Sequence, residues 1–411
     1  MQTLIKQAVI LQKDKKNLKK AVDILVENNK IKKIADLIPD KEEYTIISGK
    51  KIFLSAGWID IFADFSEPGY EYRETIEHGL LAAKSGGFKQ VFLLPNTEPS
   101  ISTQSEVLFV KQKAQNSGLQ VHPIGAVTKN LEGKELAEMY EMKEAGAIAF
   151  SEGWNSINDA NLSLKALEFV KAWNGIIIHL PYLEELTKDA WMHEGVQSTL
   201  LGMAGIPEIA ETIFIKREIE LAKYAESRIH FTGISAKKSV EIIRNAKKEG
   251  VQVTCSVTPY HLLWNDKELE TYNSLYKIMP PLRTEEDRQA LVEAVMDGTI
   301  DCISSHHRPA NWDEKTKEFE YANWGIAGIE YVLPLVLKAI PNISAERLAA
   351  LLVYNAQEIF GIKMEDDIAE GVDISKLTLF DMEDNFISQK GKSKAYNQPE
   401  ISETMLGRIL L

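Results

Sequence analysis

Cysteine is nearly absent, with two thiols, Cys255 and Cys302, in 411 residues. So few, both set in apolar strand-like runs, exclude a disulfide-stapled scaffold and point to small buried hydrophobes in a reduced compartment. Long hydrophobic runs are also missing. No window approaches the roughly 18–20 apolar residues of a membrane-spanning helix. The opening "MQTLIKQAVILQKDKKN" has no apolar core ahead of a small-residue cleavage site, so a cytoplasmic location is expected. A surplus of positive charge is the third absence. The net charge is −13, from 47 Lys and Arg against 60 Asp and Glu, and no basic stripe of the kind that neutralises phosphates interrupts the interspersed lysines. Nucleic acid and anionic membrane are therefore not expected partners.

What is there is an ordinary globular composition, 45% hydrophobic and 26% charged, enough for a sizeable core. Residues 2–55 read as short β runs ("LIKQAVIL", "VDILVENNKIKKIA", "KKIFLSAG") broken by Asn, Lys and Gly. From residue 56 the rhythm becomes strand, loop, helix. The runs "GWIDIFADF", "QVFLLP", "VHPIGAV", "AIAF", "GIIIHLP", "RIHFTGIS", "VQVTCSVTP" and "DCISSHH" are each the length of a buried strand, with segments of helical period between most of them. Eight such units predict a closed (β/α)8 TIM-type barrel over residues 56–364, ahead of an open doubly wound α/β sheet. After residue 365 β-like runs return ("LTLFDMEDN", "MLGRILL"). Residues 1–55 and 365–411 are thus expected to form one composite β-sandwich domain from both termini, and any chemistry is expected where barrel strands end.

Six phrases in order carry a resemblance: "GWIDIFADFSEPGYEYRETIEHG", "AAKSGGFKQVFLLPNTEPS", "HEGVQSTLLGMAGIPEIAE", "VTPYHLLWND", "KIMPPLRTEEDRQALVEAVMDGTIDCI" and "NWGIAGIEYVLPLVL". With the tail "SKAYNQPEISETMLG", similar to the family's closing β segment, they resemble the dihydroorotase family of the amidohydrolase superfamily from end to end. The resemblance implies a barrel flanked by a β-sandwich, and the reversible cyclisation of carbamoyl aspartate to dihydroorotate in pyrimidine synthesis. It also implies a zinc centre that activates water and polarises the carbonyl, built from a His-x-His pair, a bridging carboxylate or modified lysine, two more histidines and a catalytic aspartate.

Carried over position by position, most of that set is replaced. The His-x-His pair falls on Phe62 and Asp64, and phenylalanine has no lone pair to donate. The bridging carboxylate falls on Glu152 or, one residue along, Gly153. His179, ending "GIIIHLP", matches a ligand. The next ligand position is Gly233, with His230 three residues earlier at a non-ligand position, and the catalytic aspartate falls on His306. The substrate-holding arginine, two asparagines and later histidine fall on Ser66, Asn96, Met279 and Ala310, so only Asn96 remains and the bidentate clamp on a carboxylate is gone.

Loss in both the metal set and the substrate set predicts a non-catalytic homologue without a cofactor. The resemblance suggests a structural or regulatory partner of aspartate transcarbamoylase, itself a homodimer. The alternative is an active cyclic-amide hydrolase in which Asp64, Glu152, His179 and His306 converge on one zinc or other divalent ion. His78, His122 and His193 suit packing or surface roles, and His261 either a structural hydrogen bond or a ligand contact near the barrel mouth. Of the adjacent His306 and His307 only one can face into the barrel. Residues 308–328 read as a polar loop that closes a site or forms an interface, with Trp312 and Trp324 either core anchors or partner contacts.

Overall fold

Eight short, mostly apolar segments pair side by side in chain order as a parallel sheet: β1 (Trp58–Ala63), β2 (Phe88–Leu93), β3 (Gln120–Ala126), β4 (Ala149–Ser151), β5 (Ile176–His179), β6 (Arg228–Phe231), β7 (Val253–Val257) and β8 (Cys302–Ile303). The computed structural model describes residues 2–13, 20–363, 367–387, 393–400 and 405–411. Strands covered on both faces need apolar residues on both. Ile59, Ile61, Phe92, Ile124, Ile176 and Ile178 fill the barrel interior, while Ile177, Ile229, Phe231, Val253 and Cys255 meet the surrounding helices. The ring is nearly closed. Between β8 and β1 a bridge joins Ala63 to His307, and the Asp64 N–H donates to the His307 carbonyl at 2.8 Å. Some of the helices that turn the chain back start where the sequence supplies caps, as at Thr103 and Thr284, whose hydroxyls are each answered by an acid three residues on.

Both termini build the second unit. Strand Gln2–Ile10 pairs along its first half with Val22–Glu27 and Tyr44–Ile47, and along its end with Ile52–Ala56. Leu377–Asn385 adds antiparallel to Ile52–Ala56, and Leu406–Ile409 to that in turn. The first strand switches partners at a bulge, where Gln7 takes a left-handed φ of 53° and its N–H is held by Asp23 Oδ1 at 3.0 Å. Of the tail read as a closing β segment, only Leu406–Ile409 lies on a strand, residues 393–398 are irregular, and residues 401–404 lie outside the described residues.

Candidate functional site

The C-terminal mouth of the barrel is filled by rings. Phe62, at the end of β1, is fully buried and packs edge-on against Trp154 at 5.2 Å and tilted against His306 at 4.6 Å. Trp154 also meets His306 edge-on, and the Arg308 guanidinium covers the Trp154 ring at 4.5 Å. Asp64 sits beside this stack and is already satisfied. Its Oδ1 accepts from the Ser66 N–H (2.7 Å) and its Oδ2 from the Trp154 indole N–H (3.0 Å). Ser66 thus occupies the arginine position as a turn residue, with φ 60° and its hydroxyl on the same carboxylate. Nothing singled out Trp154 in sequence, although it stands two residues after Glu152.

His306 is held from below by a chain of hydroxyls and one imidazole. Its Nε2 lies 2.7 Å from Thr232 Oγ1, which accepts from Ser256 Oγ at 2.9 Å, and Ser256 in turn lies 3.1 Å from His230 Nε2. The chain runs one way if Thr232 donates to Nε2, which leaves the His306 proton on Nδ1. Burial, with His261, His230 and Arg308 nearby, holds the His306 pKa well below the usual imidazole range, so the ring is neutral. Burial likewise pushes His230 down to about 3. Gly233 has no room for an imidazole: its φ is +70°, and a Cβ there would lie 2.6 Å from the His306 ring. The void left among Trp154, Tyr260, His261, Met279, His306 and Arg308 is about 10 Å³. That is space for one water at most, where small-molecule sites measure roughly 300–1,000 Å³.

Two expected site residues lie elsewhere. His179 was expected to face the mouth, but Ile176 and Ile178 take the inward positions of β5, so His179 falls on the outward face with Ile177. Its ring packs on Phe214 of the covering helix Ile209–Ala225, with Nε2 3.5 Å from Glu218 Oε2. Burial lowers its pKa, against the pull of Glu218. Glu152 is tied sideways, its two oxygens accepting from the N–H and hydroxyl of Thr128 at 2.7 and 2.8 Å, and burial raises it to about 7. Gly153 backs onto Asn96, where a Cβ would fall 1.6 Å from Oδ1. Asn96 therefore staples this turn, donating to the Glu152 carbonyl and accepting from the Trp154 N–H.

A zinc site needs three or four nitrogen, oxygen or sulfur donors around one point. Among the described residues no three His, Cys, Asp or Glu side chains are grouped to hold a metal ion. Asp64, Glu152, His179 and His306 do not converge, because each answers a different neighbour and Phe62 stands where a donor would. The residues present do not fit the family's metal centre.

The remaining positions are walls. Met279 packs against the barrel interior, and Ala310 is buried, its N–H given to Asn397 Oδ1 of the C-terminal segment at 2.8 Å. Asn397 also donates to the Arg308 and Gly325 carbonyls. Of the adjacent pair, His306 faces in and His307 out, its Nε2 2.5 Å from buried Glu74. His261 makes structural bonds, to Thr258 Oγ1 and the Pro280 carbonyl. Residues 308–328 are pinned down. Arg73 grips Glu314 at 2.6 and 2.8 Å, and the Lys315 ammonium donates to the Ser274 carbonyl. Lys277 lies among Trp191, Phe319 and Trp324 while donating to the Phe319 and Glu320 carbonyls. Trp324 is thus an anchor, whereas Trp312 is 60% exposed.

Burial, with Arg308 and Lys277 adding, lowers Lys315 to about 7, and burial lowers Lys277 to about 8. A folded pKa below the unfolded value of about 10.4 means that the unfolded segment binds more protons between the two. Stability of this flap is therefore lowest below pH 7 and rises from there toward pH 10. Amide exchange of residues 311–324, corrected for intrinsic rate, is expected to slow relative to the core over that range, and Lys315→Met to flatten the trend. Exchange that does not change with pH would contradict it.

Compared with known proteins, residues 50–239 match the family model described as dihydro-orotase-like. A dihydroorotase of Acetivibrio thermocellus is 36% identical over 94% of this chain and 91% of its own. One from Caldicellulosiruptor saccharolyticus is 37% identical over 87% and 84%. Among solved structures, the L-hydantoinase (dihydropyrimidinase) of Arthrobacter aurescens superposes with a TM-score of 0.81 at 22% identity, covering 100% of this chain and 94% of that one, a likeness of fold. Identity at this level across nearly the whole chain, on an amidohydrolase-type barrel flanked by a sheet from both termini, places the protein in the dihydroorotase-like family.

Proposed function

We propose that this member of a pyrimidine-related amidohydrolase family performs no amide hydrolysis at its barrel mouth and acts through its shape, as a structural or regulatory partner of aspartate transcarbamoylase. The observation that carries the first part is Phe62, whose ring lies between Trp154 and His306 and takes up the space that a metal and substrate would need. Hydrolysing a cyclic amide at neutral pH needs an activated nucleophile and relief of charge on the carbonyl oxygen. Neither is on hand here: His306 is buried, neutral and bound to Thr232, and Asp64 is spent on Trp154 and Ser66. The partner is the one suggested by the family resemblance.

Two measurements test the proposal separately. With zinc supplied, cyclisation of carbamoyl aspartate and hydrolysis of dihydroorotate are expected to stay at background. A kcat/KM anywhere near the 10⁴ M⁻¹s⁻¹ or more usual for enzymes would end the non-catalytic reading. Purification from native cells at low salt is expected to bring aspartate transcarbamoylase with the chain, and recovery of the chain without it would remove the partner while leaving the first part standing.

A further inference from the structure

The barrel's opposite end holds a feature that the mouth does not explain. A cleft of about 500 Å³ opens between the starts of β2 and β3 and the segment entering the terminal sheet, lined by Lys89, Gln90, Gln115, Gln120, Lys363 and Lys376 with apolar Leu119, Val372 and Leu377. Its volume is within the range of small-molecule sites. We propose that this cleft binds a small metabolite bearing an oxyanion, phosphate or carboxylate, across the junction of barrel and sheet.

Three observations carry it. First, the polar lining offers donors. Lys89 and Lys363 are donors only. His122, neutral because burial holds it down at about 4, gives its Nε2–H to Gln90 Oε1 at 2.6 Å, which leaves the Gln90 amide –NH₂ as its free end. Second, no carboxylate is among the described lining residues, and the nearby Asp373, which accepts from the N–H and hydroxyl of the lining Ser375, has Lys376 and Lys30 rather than Lys89 as its countercharges. Third, Lys89 is half-buried with its stem against Gly57, and no acid among the described residues offsets its charge: burial, with Lys84 adding, lowers it to about 8. A half-buried ammonium facing a roomy cleft beside amide donors is matched by an anion, which would restore its charge. The site is independent of what happens at the mouth.

Binding of inorganic pyrophosphate and of citrate to the full chain, by calorimetry at constant ionic strength, tests the proposal and separates phosphate from carboxylate. At least one is expected to saturate at one site per chain, and Lys89→Met, which keeps the stem, to weaken it at least tenfold while the thermal midpoint without ligand changes little. Should Lys89→Met fail to fold, Lys363→Ala at the exposed rim is expected to weaken the same ligand at least threefold. No saturable binding of either probe, or variants that bind like the parent, would overturn it.

Discussion

Replacing Arg283 with alanine is expected to destabilise the protein by about 3–5 kcal/mol, the range for removing one partner of a buried ion pair. Arg283 is 3% exposed and Glu211 1%. The guanidinium spends its donors on Glu211 Oε2 (3.1 Å), Ser235 Oγ (2.7 Å) and His193 Nδ1 (3.1 Å), joining the "PPLR" phrase, the helix Ile209–Ala225 and the loop after β6. Glu211 also accepts from the N–H groups of Ser235 and Ala236. Without the arginine, those amides and one hydroxyl face a carboxylate that has lost its countercharge, and the Ser235 loop beneath the mouth loses its tie. The measurement is the midpoint of chemical denaturation at unchanged slope. The pair Arg283→Met with Glu211→Gln is expected to recover part of the loss, since the cost is chiefly that of an uncompensated charge. A loss below about 1 kcal/mol for Arg283→Ala would mean that water reaches Glu211 and that the pair is no more than a surface one.

The eight barrel strands were legible because a parallel strand covered on both faces has to be an apolar run, and each run ends in turn chemistry. At Phe62 and Gly233 the residue type alone forbids side-chain ligation whatever the geometry. The place of His179 was not legible. "GIIIHLP" is apolar throughout, so no alternation shows which face each side chain takes, and one residue of register moves the imidazole from the mouth to the helix layer. Asp64 and Glu152 have side chains able to ligate, and only their contacts, with Trp154, Ser66 and Thr128, show that they are committed elsewhere. Core anchoring by its tryptophans was one open reading of residues 308–328, but the part of the lysines was hidden for a related reason. Lys277 and Lys315 look in sequence like solvated charges, and their burial depends on Trp191, Trp324, Phe319 and Ser274, most of them tens of residues away.

The second large effect is at Phe62. Its ring is fully buried among Trp154, His306 and the aliphatic interior of the barrel, so Phe62→Ala is expected to cost about 3–5 kcal/mol, the usual range for truncating a core phenylalanine. Phe62→His is the sharper variant, because it returns one family ligand to its place. A single imidazole is not a site, however. A Cβ at Gly233 would fall 2.6 Å from the His306 ring, His179 faces the helix layer, and Asp64 already accepts from an indole and a backbone N–H. Phe62→His is therefore expected to hold less than about a tenth of an equivalent of zinc after gel filtration, short of the three protein ligands of catalytic sites, and to leave both directions of the dihydroorotase assay at background. Both variants should lose stability, the histidine less if its ring keeps the contacts with Trp154 and His306. One equivalent of zinc with turnover in Phe62→His would show that a single substitution separates this barrel from catalysis, and that the other donors can swing to the mouth. That result would remove the physical ground for reading the mouth as permanently closed.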